Sequence, residues 1–520
     1  MEIICKRFRQ FSAVLLVGAL AGCSTAPVPV VEAPLVWDEA EEVIASGYRA
    51  INEKYIDPLR INEIAVDGIK GFASIDPALT ASVKDKAIVL SYAGTLVHSA
   101  AMPAGGDIDQ WASLTTEMAI KAREQSRDMR GAGAEKLYEA IFDGVLAKLD
   151  LFSRYAGAED ARRNRARRDG FGGIGVRYKF ENNVFRILSV TPEMPAAEAG
   201  IQADDILTHV DNQPVKGMNM HKVSSIIRGP THTTVNITVS RSGIDAPIEH
   251  KLKRRHIVPV TVTEKWMGNI IYLKISSFNQ DTARSLSDKL EAAIEAKNGG
   301  LKGVILDVRG NPGGLLKQSV KAADLFLTRG NIVTTKGRHA DSLHIYEAGG
   351  RDLTGGLPLI LLVDGKSASA AEIVAAALQD RERAVLIGTS SYGKGTVQTV
   401  LRLPNEGEIT LTWSRLIAPS GYVLHGLGVR PELCLPTKAS DIPKLVDRVL
   451  ERELTVKTTF NQWRTPGIKN SERREELRAS CPAERHEADT ELLVAQHLIE
   501  NPKSYSKALT LSTRPVQASN

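Results

Sequence analysis

Between Leu357 and Gln398 the chain alternates two apolar runs with two short polar blocks, and this pattern constrains the fold more than any other stretch. Leu357-Pro358-Leu359-Ile360-Leu361-Leu362-Val363 has the length and branching of a buried strand. Asp364-Gly365-Lys366 breaks that run. Ser367-Ala368-Ser369-Ala370-Ala371-Glu372 then leads into Ile373, Val374, Ala377 and Leu378, spaced as one face of a short helix. A serine between a buried strand and a helix start presents its hydroxyl beside outward-pointing N–H groups. The positive end of the helix dipole is close by, so an oxyanion is stabilised there. A second strand-like run, Ala384-Val385-Leu386-Ile387, precedes Tyr392-Gly393-Lys394-Gly395-Thr396-Val397-Gln398, in which Lys394 is the only basic side chain.

Two readings compete for Lys394. Gly388-Thr389-Ser390-Ser391-Tyr392-Gly393-Lys394 matches the first seven positions of a phosphate-binding loop after a strand, with Val304-Ile305-Leu306-Asp307 as a candidate carboxylate strand. The eighth position should be a serine or threonine to hold magnesium, and it is Gly395. An ATPase is further disfavoured by the export signal described below. The other reading is a serine–lysine pair. A serine hydroxyl needs a base within hydrogen-bond reach, and a lysine serves only when neutral. Bringing its pKa from ~10.4 to near 7 takes about 4–5 kcal/mol of differential destabilisation of the ammonium form, which burial can supply. Gln398 would orient the amine without adding a charge that holds its proton on.

At these blocks the sequence resembles the carboxyl-terminal processing peptidases, or tail-specific serine proteases. Their nucleophile block reads roughly Gly-Ser-Ala-Ser-Ala-Ser-Glu and their base block Phe-Gly-Lys-Gly-x-Val-Gln. Here Lys366 replaces the glycine and Ala371 the last serine, neither at a position that carries chemistry. The resemblance, which runs from about Tyr48 to Glu432, implies Ser369 as nucleophile, with Ser367 the weaker candidate. It also implies Lys394 as base at the family's spacing, assistance from Gln398, and no metal or cofactor. It implies an α/β multidomain fold: a helical N-terminal region (37–168), a PDZ domain (169–258), a crotonase/ClpP-like α/β serine protease core (259–436) and a helical C-terminal tail (437–520). In the family, a glycine amide after the strand Gly303 to Val308 joins the amide after the nucleophile as the oxyanion hole. That carries over to Gly313 or Gly314, in Arg309-Gly310-Asn311-Pro312-Gly313-Gly314, with Ala370.

The chain begins with an address. Lys6, Arg7 and Arg9 precede an apolar run from Phe11 to Leu20, too short to span a bilayer comfortably. Leu20-Ala21-Gly22-Cys23 resembles a bacterial lipobox, so residues 1–22 read as a lipoprotein signal peptide and Cys23 as the lipidated first residue. Ser24 beside it points to the outer membrane. Residues 23–36, with Pro27, Pro29 and Pro34, read as an extended tether. The expected place is therefore the cell envelope, facing the periplasm. Loss of residues 1–22, with Lys6, Arg7, Arg9 and Glu2, lowers the formal charge from +5 to +3, which gives no reason to invoke nucleic acid. Cys434 and Cys481 remain, either as a disulfide in an oxidising compartment or as two unpaired thiols.

With 520 residues, 43% of them hydrophobic, the chain can build several cores. Leu137, Ile141, Val145 and Leu149 recur every four residues, so residues 37–160 read as helical. Leu149-Asp150-Leu151-Phe152-Ser153 resembles the family's Leu-Asp-Pro-His-Ser segment with the proline and histidine replaced. Arg162, Arg163, Arg165, Arg167 and Arg168 form a basic run, read as a solvated linker or as a contact for anionic lipid or an acidic partner. No aromatic residues interleave with them, which disfavours single-stranded nucleic acid. In the PDZ-like stretch, Gly172-Gly173-Ile174-Gly175-Val176 stands where a peptide C-terminus would be held. Arg228, in Arg228-Gly229-Pro230, resembles a turn arginine that in some relatives reaches toward the active site; the alternative is a turn arginine in water. None of the eleven histidines falls in the two active blocks. The expectation is a lipid-anchored endopeptidase acting on protein or peptide substrates, with an adaptor or a homo-oligomer left open. The alternatives are a catalytically inert PDZ-containing peptide-binding lipoprotein and, less favoured, an acyl-CoA enzyme on a crotonase-type core.

Overall fold

In the computed structural model, residues 35–436, 441–465, 471–485 and 489–513 are described. Leu359–Val363 is apolar and buried at every position, and it lies at the centre of a six-stranded sheet. The strand order is Val262–Met267, Ile270–Ile275, Gly303–Asp307, Leu359–Val363, Val385–Gly388, Leu433–Cys434. Only the first pairing is antiparallel. Successive side chains of a strand point to opposite faces. Leu359, Leu361 and Val363 therefore join a cluster with Leu286 and Leu290 of helix Thr282–Lys297 and with Ile373 and Val374 of helix Ala370–Asp380. Ile360 and Leu362 face the other way, onto Val446, Leu450, Phe460, Val494 and Leu498 of the C-terminal helices. A parallel sheet is stable only when covered on both faces, and here the tail supplies one of the covers.

Three neighbouring parallel strands, Gly303–Asp307, Leu359–Val363 and Val385–Gly388, end at one edge of the sheet. The loops that follow them carry Gly313 and Gly314, Ser369, and Lys394 respectively. Loops at the carboxyl ends of such strands line the usual site of α/β sheets. A second sheet, in the order His344–Ala348, Gly330–Gly337, Glu408–Ile417, Thr396–Arg402, holds the hairpin that starts just after Lys394; Arg154–Ala156 pairs with Glu408–Ile417.

Helices Trp37–Lys54, Ile61–Lys70, Ile108–Gln125 and Ala134–Leu146 form the N-terminal region and pack on Leu403, Ile409 and Leu411 of that hairpin. The region is not helical throughout. Leu79–Lys84, Ala87–Tyr92 and Thr95–Ala101 form an antiparallel meander. Its two-residue turns, Asp85-Lys86 and Ala93-Gly94, hold all four residues at positive φ, the hairpin geometry that matches strand twist. Only Ile88 and Leu90 of its middle strand are buried, so a short alternation was outweighed by the long helical stripes beside it. The PDZ-like stretch has its own core, built on Phe185, Ile187, Leu207, Val235 and Ile237. Its sheet runs Ile248–Lys253, Thr234–Ser240, Ile206–Val210, Val184–Val190, Val176–Glu181. No helix among the described residues is long and apolar enough to cross a membrane.

Candidate active site

The turn after Leu359–Val363 is built by Asp364 and Ser367. Asp364 Oδ1 accepts hydrogen bonds from Gly310, Lys366 and Ser367 N–H. Ser367 Oγ is buried and donates to Val308 O at 2.9 Å. Ser367 is thus a turn-builder, its hydroxyl committed to the turn. Ser369 caps helix Ala370–Asp380 with φ 54° and ψ −112°. A non-glycine residue held there is strained, and such strain persists only where the surroundings over-determine it.

The over-determining group is Glu372. Its carboxylate is fully buried. Oε2 accepts from Ser369 N–H at 2.7 Å and Lys394 N–H at 2.9 Å; Oε1 accepts from Gly393 N–H at 2.7 Å and Ser391 Oγ at 2.5 Å. One carboxylate therefore ties the serine turn to the lysine loop. Burial pushes its pKa up, against the pull of these four hydrogen bonds. The Lys394 amine lies 4.8 Å from the centre of the Phe152 ring. Burial pushes its pKa down, helped by the positive charge of Arg154 and opposed by Glu372 and Asp150. Among the described residues its Nζ makes no hydrogen bond, to Ser369 Oγ or to any other group. Phe152 is held by its own N–H donating to Asp150 Oδ1 at 2.7 Å.

Gln398 does not meet Lys394. Its amide donates to Thr396 Oγ1 at 2.9 Å and Thr412 Oγ1 at 3.2 Å. Lys394 lies in the loop before strand Thr396–Arg402, and the register slips between Val397 and Gln398. The Gln398 amide is thus committed to the two threonines, and among the described residues no hydrogen bond joins it to Lys394.

Gly313 packs directly on the serine turn: a Cβ there would lie 2.9 Å from Ser369 Cβ and 3.1 Å from Ala370 N. Its N–H is donated to Asn311 Oδ1 at 2.8 Å. Asn311 is buried, donates to Ile275 O, and accepts Ala368 N–H at its carbonyl. Gly314 and Ala370 then remain as the amides among the candidates without a described acceptor.

The glycine loop of the PDZ-like stretch is anchored by its carbonyls. Gly172, Ile174 and Gly175 O accept from Gly229, Ala196 and Thr191 N–H. Gly173 pairs with Arg255, and Val176 opens the edge strand Val176–Glu181. Gly175, at φ 82°, admits no side chain, since a Cβ would meet Met194 Cβ at 2.3 Å. Across from that strand lies helix Met220–Ile227, with Tyr178 Oη and Ser224 Oγ 2.7 Å apart. The Arg228 guanidinium stacks on Phe171 at 3.9 Å.

Cys434 and Cys481 form a disulfide. Cys23 and the lipobox lie outside the described residues. Part of the arginine run is turned inward: Arg165 and Arg168 both reach the buried carboxylate of Glu408 at 2.9 Å, which neither sequence reading anticipated. Glu372 and Asn311 were visible in the motifs, but nothing in the sequence said what each faces.

Residues 269–434 match peptidase family S41, and residues 186–241 match a PDZ domain family. A carboxy-terminal-processing protease of Bartonella bacilliformis is 39% identical over 302 residues, covering 58% of this chain and 69% of the relative. A probable CtpA-like serine protease of Staphylococcus epidermidis is 32% identical over 308 residues, covering 58% and 62%. Among solved structures, the photosystem II D1 C-terminal processing protease aligns with a TM-score of 0.40 at 24% identity, over 77% of this chain and 95% of its own.

Proposed function

Because this chain belongs to peptidase family S41, among the carboxy-terminal-processing serine proteases with a PDZ domain, we propose that it cleaves polypeptides with Ser369 as nucleophile and Lys394 as base. The observation that carries this reading is the pair of hydrogen bonds from Ser369 N–H and Lys394 N–H to one buried carboxylate oxygen, Glu372 Oε2. The mechanism needs the amine to leave the Phe152 ring and reach Ser369 Oγ. Neutral Lys394 then takes the hydroxyl proton as Oγ attacks the scissile carbonyl carbon. Gly314 and Ala370 N–H stabilise the resulting oxyanion. The tetrahedral adduct collapses, Lys394 returns its proton to the departing amine, and an ester to Ser369 remains. Water, deprotonated by Lys394, attacks that ester and restores the serine. Gln398, bonded to Thr396 and Thr412, would hold the start of the strand that follows Lys394 rather than orient the amine directly.

The glycine loop 172–176 and the edge strand after it would hold a C-terminal or flexible segment of the substrate by strand addition. The lipobox ending at Cys23 supports attachment to the envelope, facing the periplasm at the outer membrane, where an adaptor or a second copy could act. Replacing Cys23 with serine is expected to move the protein from the membrane to the soluble fraction; unchanged fractionation removes the anchor from this picture.

The activity is tested by incubating wild type and Ser369→Ala with an intrinsically disordered protein and reading fragments by mass spectrometry. Wild type is expected to cut and the variant not. Equal cutting by both removes Ser369 from the mechanism, and cutting by neither favours an inert peptide-binding lipoprotein.

A further inference from the structure

The segment from Ser471 to Glu484 lies beyond the part of the chain that matches the peptidase family, yet it bonds to both loops of the candidate site. Arg478 lies on helix Ser471–Ala479. Its guanidinium donates to Leu427 O at 2.6 Å and to Ser391 O at 3.2 Å. Ser391 is the residue whose Oγ donates to Glu372, and the same carboxylate holds Gly393 and Lys394 N–H. One turn earlier, Arg474 donates to His425 O at 3.3 Å, and Gly426 N–H donates to Gly393 O. The two arginines therefore grip the back of the paired segments 391–395 and 424–429. At the end of the same segment, Glu484 O accepts Gly365 N–H at 2.7 Å and Thr389 Oγ1 at 2.9 Å. Gly365 begins the serine turn. The helix is seated by buried Leu477 and tethered by buried Cys481 to Cys434, at the end of the central sheet.

We propose that this segment is a working part of the active site, with Arg478 a positioning residue for Lys394 and the Cys434–Cys481 disulfide holding that arginine in place. The proposal rests on the Ser369–Lys394 reading. A planar guanidinium with donors in a fixed fork suits the joining of two carbonyls from separate segments. Release of the Ser391 carbonyl would let the lysine loop drift from Glu372. A displacement near 1 Å at a reacting group costs on the order of 100-fold in rate.

The test uses the full chain and three variants: Arg478→Gln, Arg478→Lys, and Cys434→Ala with Cys481→Ala. Each is assayed for kcat and KM on a disordered protein across pH, beside thermal unfolding and hydrogen exchange of the Gly393 and Lys394 amides. Arg478→Gln is expected to lower kcat about 100-fold with KM little changed. The rise of kcat with pH should move to higher pH as Lys394 loses its dry surroundings, and the two amides should exchange faster. Arg478→Lys should recover part of the loss, and the double cysteine variant should move every readout the same way by less. A loss of kcat that only tracks the unfolded fraction, with the pH profile and the two amides unchanged, overturns the proposal. Should the wild type not cleave, the Ser369 reading falls and exchange alone decides the clamp: faster amides in Arg478→Gln support it, and unchanged amides overturn it.

Discussion

Glu372 concentrates the constraints at the residue scale. It is a buried carboxylate with four donors aimed at it, from Ser369, Ser391, Gly393 and Lys394. Glu372→Ala would leave those donors without an acceptor, and one unsatisfied buried group alone costs ~1–3 kcal/mol. A loss of at least about 3 kcal/mol in urea unfolding is expected, together with loss of cleavage; full stability in the variant would mean that water replaces the carboxylate. In the proposed mechanism Lys394 sets the pH dependence. A base must be neutral, so the rate is expected to rise with pH as the amine loses its proton. Burial and the Arg154 charge both lower that pKa, which moves the rise to lower pH than an ordinary lysine would give. Arg154→Gln removes the second cause and leaves the first, so the rise is expected at higher pH; an unmoved profile would show that the charge does not reach Nζ. Ser369 and Lys394 could be proposed from the sequence because each lies in a block whose residue types suit that chemistry. The role of Phe152 could not, because a ring 242 positions upstream of a lysine leaves no local pattern.

The elements that carry these residues owe their shape to ordinary rules, and the exceptions are informative. The strand–turn–helix around Ser369 follows from an apolar run, a polar break and a helical stripe. The basic run in helix Ala158–Asp169 reads as solvated charge, yet Arg165 and Arg168 converge on Glu408, which is 3% exposed. Glu408 opens the strand that pairs with Thr396–Arg402, just after Lys394. Hydrogen bonds to charged groups are worth ~1.5–3 kcal/mol. Glu408→Ala should therefore cost about 2 kcal/mol in urea unfolding and should reduce cleavage while Arg163→Ala, on the exposed side of the same helix, changes neither. Equal effects from both variants would make the clamp on Glu408 no more than surface charge. The arginines could be counted in the sequence; which of them turn inward depended on a carboxylate more than 200 residues away.

For the molecule as a whole, the tail is the decisive part. Helices from Ile442 to Leu509 cover Ile360, Leu362, Val385 and Ile387 on one face of the central sheet. Chain ending at residue 436 would expose that face. Each such side chain is worth ~1.5–3 kcal/mol when buried, so the truncated protein is expected to aggregate or stay unfolded. A soluble, cooperatively melting 1–436 fragment would show that the sheet tolerates an open face.

The sequence by itself determined the order of strands and turns around the two blocks, which serine and lysine stand in them, and the family to which they point. Those features are carried by neighbours along the chain, where periodicity and residue type are sufficient. Tertiary structure alone decided that Gln398 turns to threonines, that the Gly313 amide belongs to Asn311, that Cys434 meets Cys481, and that the tail closes over the lysine loop. Burial and hydrogen-bond partnership belong to groups adjacent in space, and a linear pattern records which groups are present but not which of them face one another.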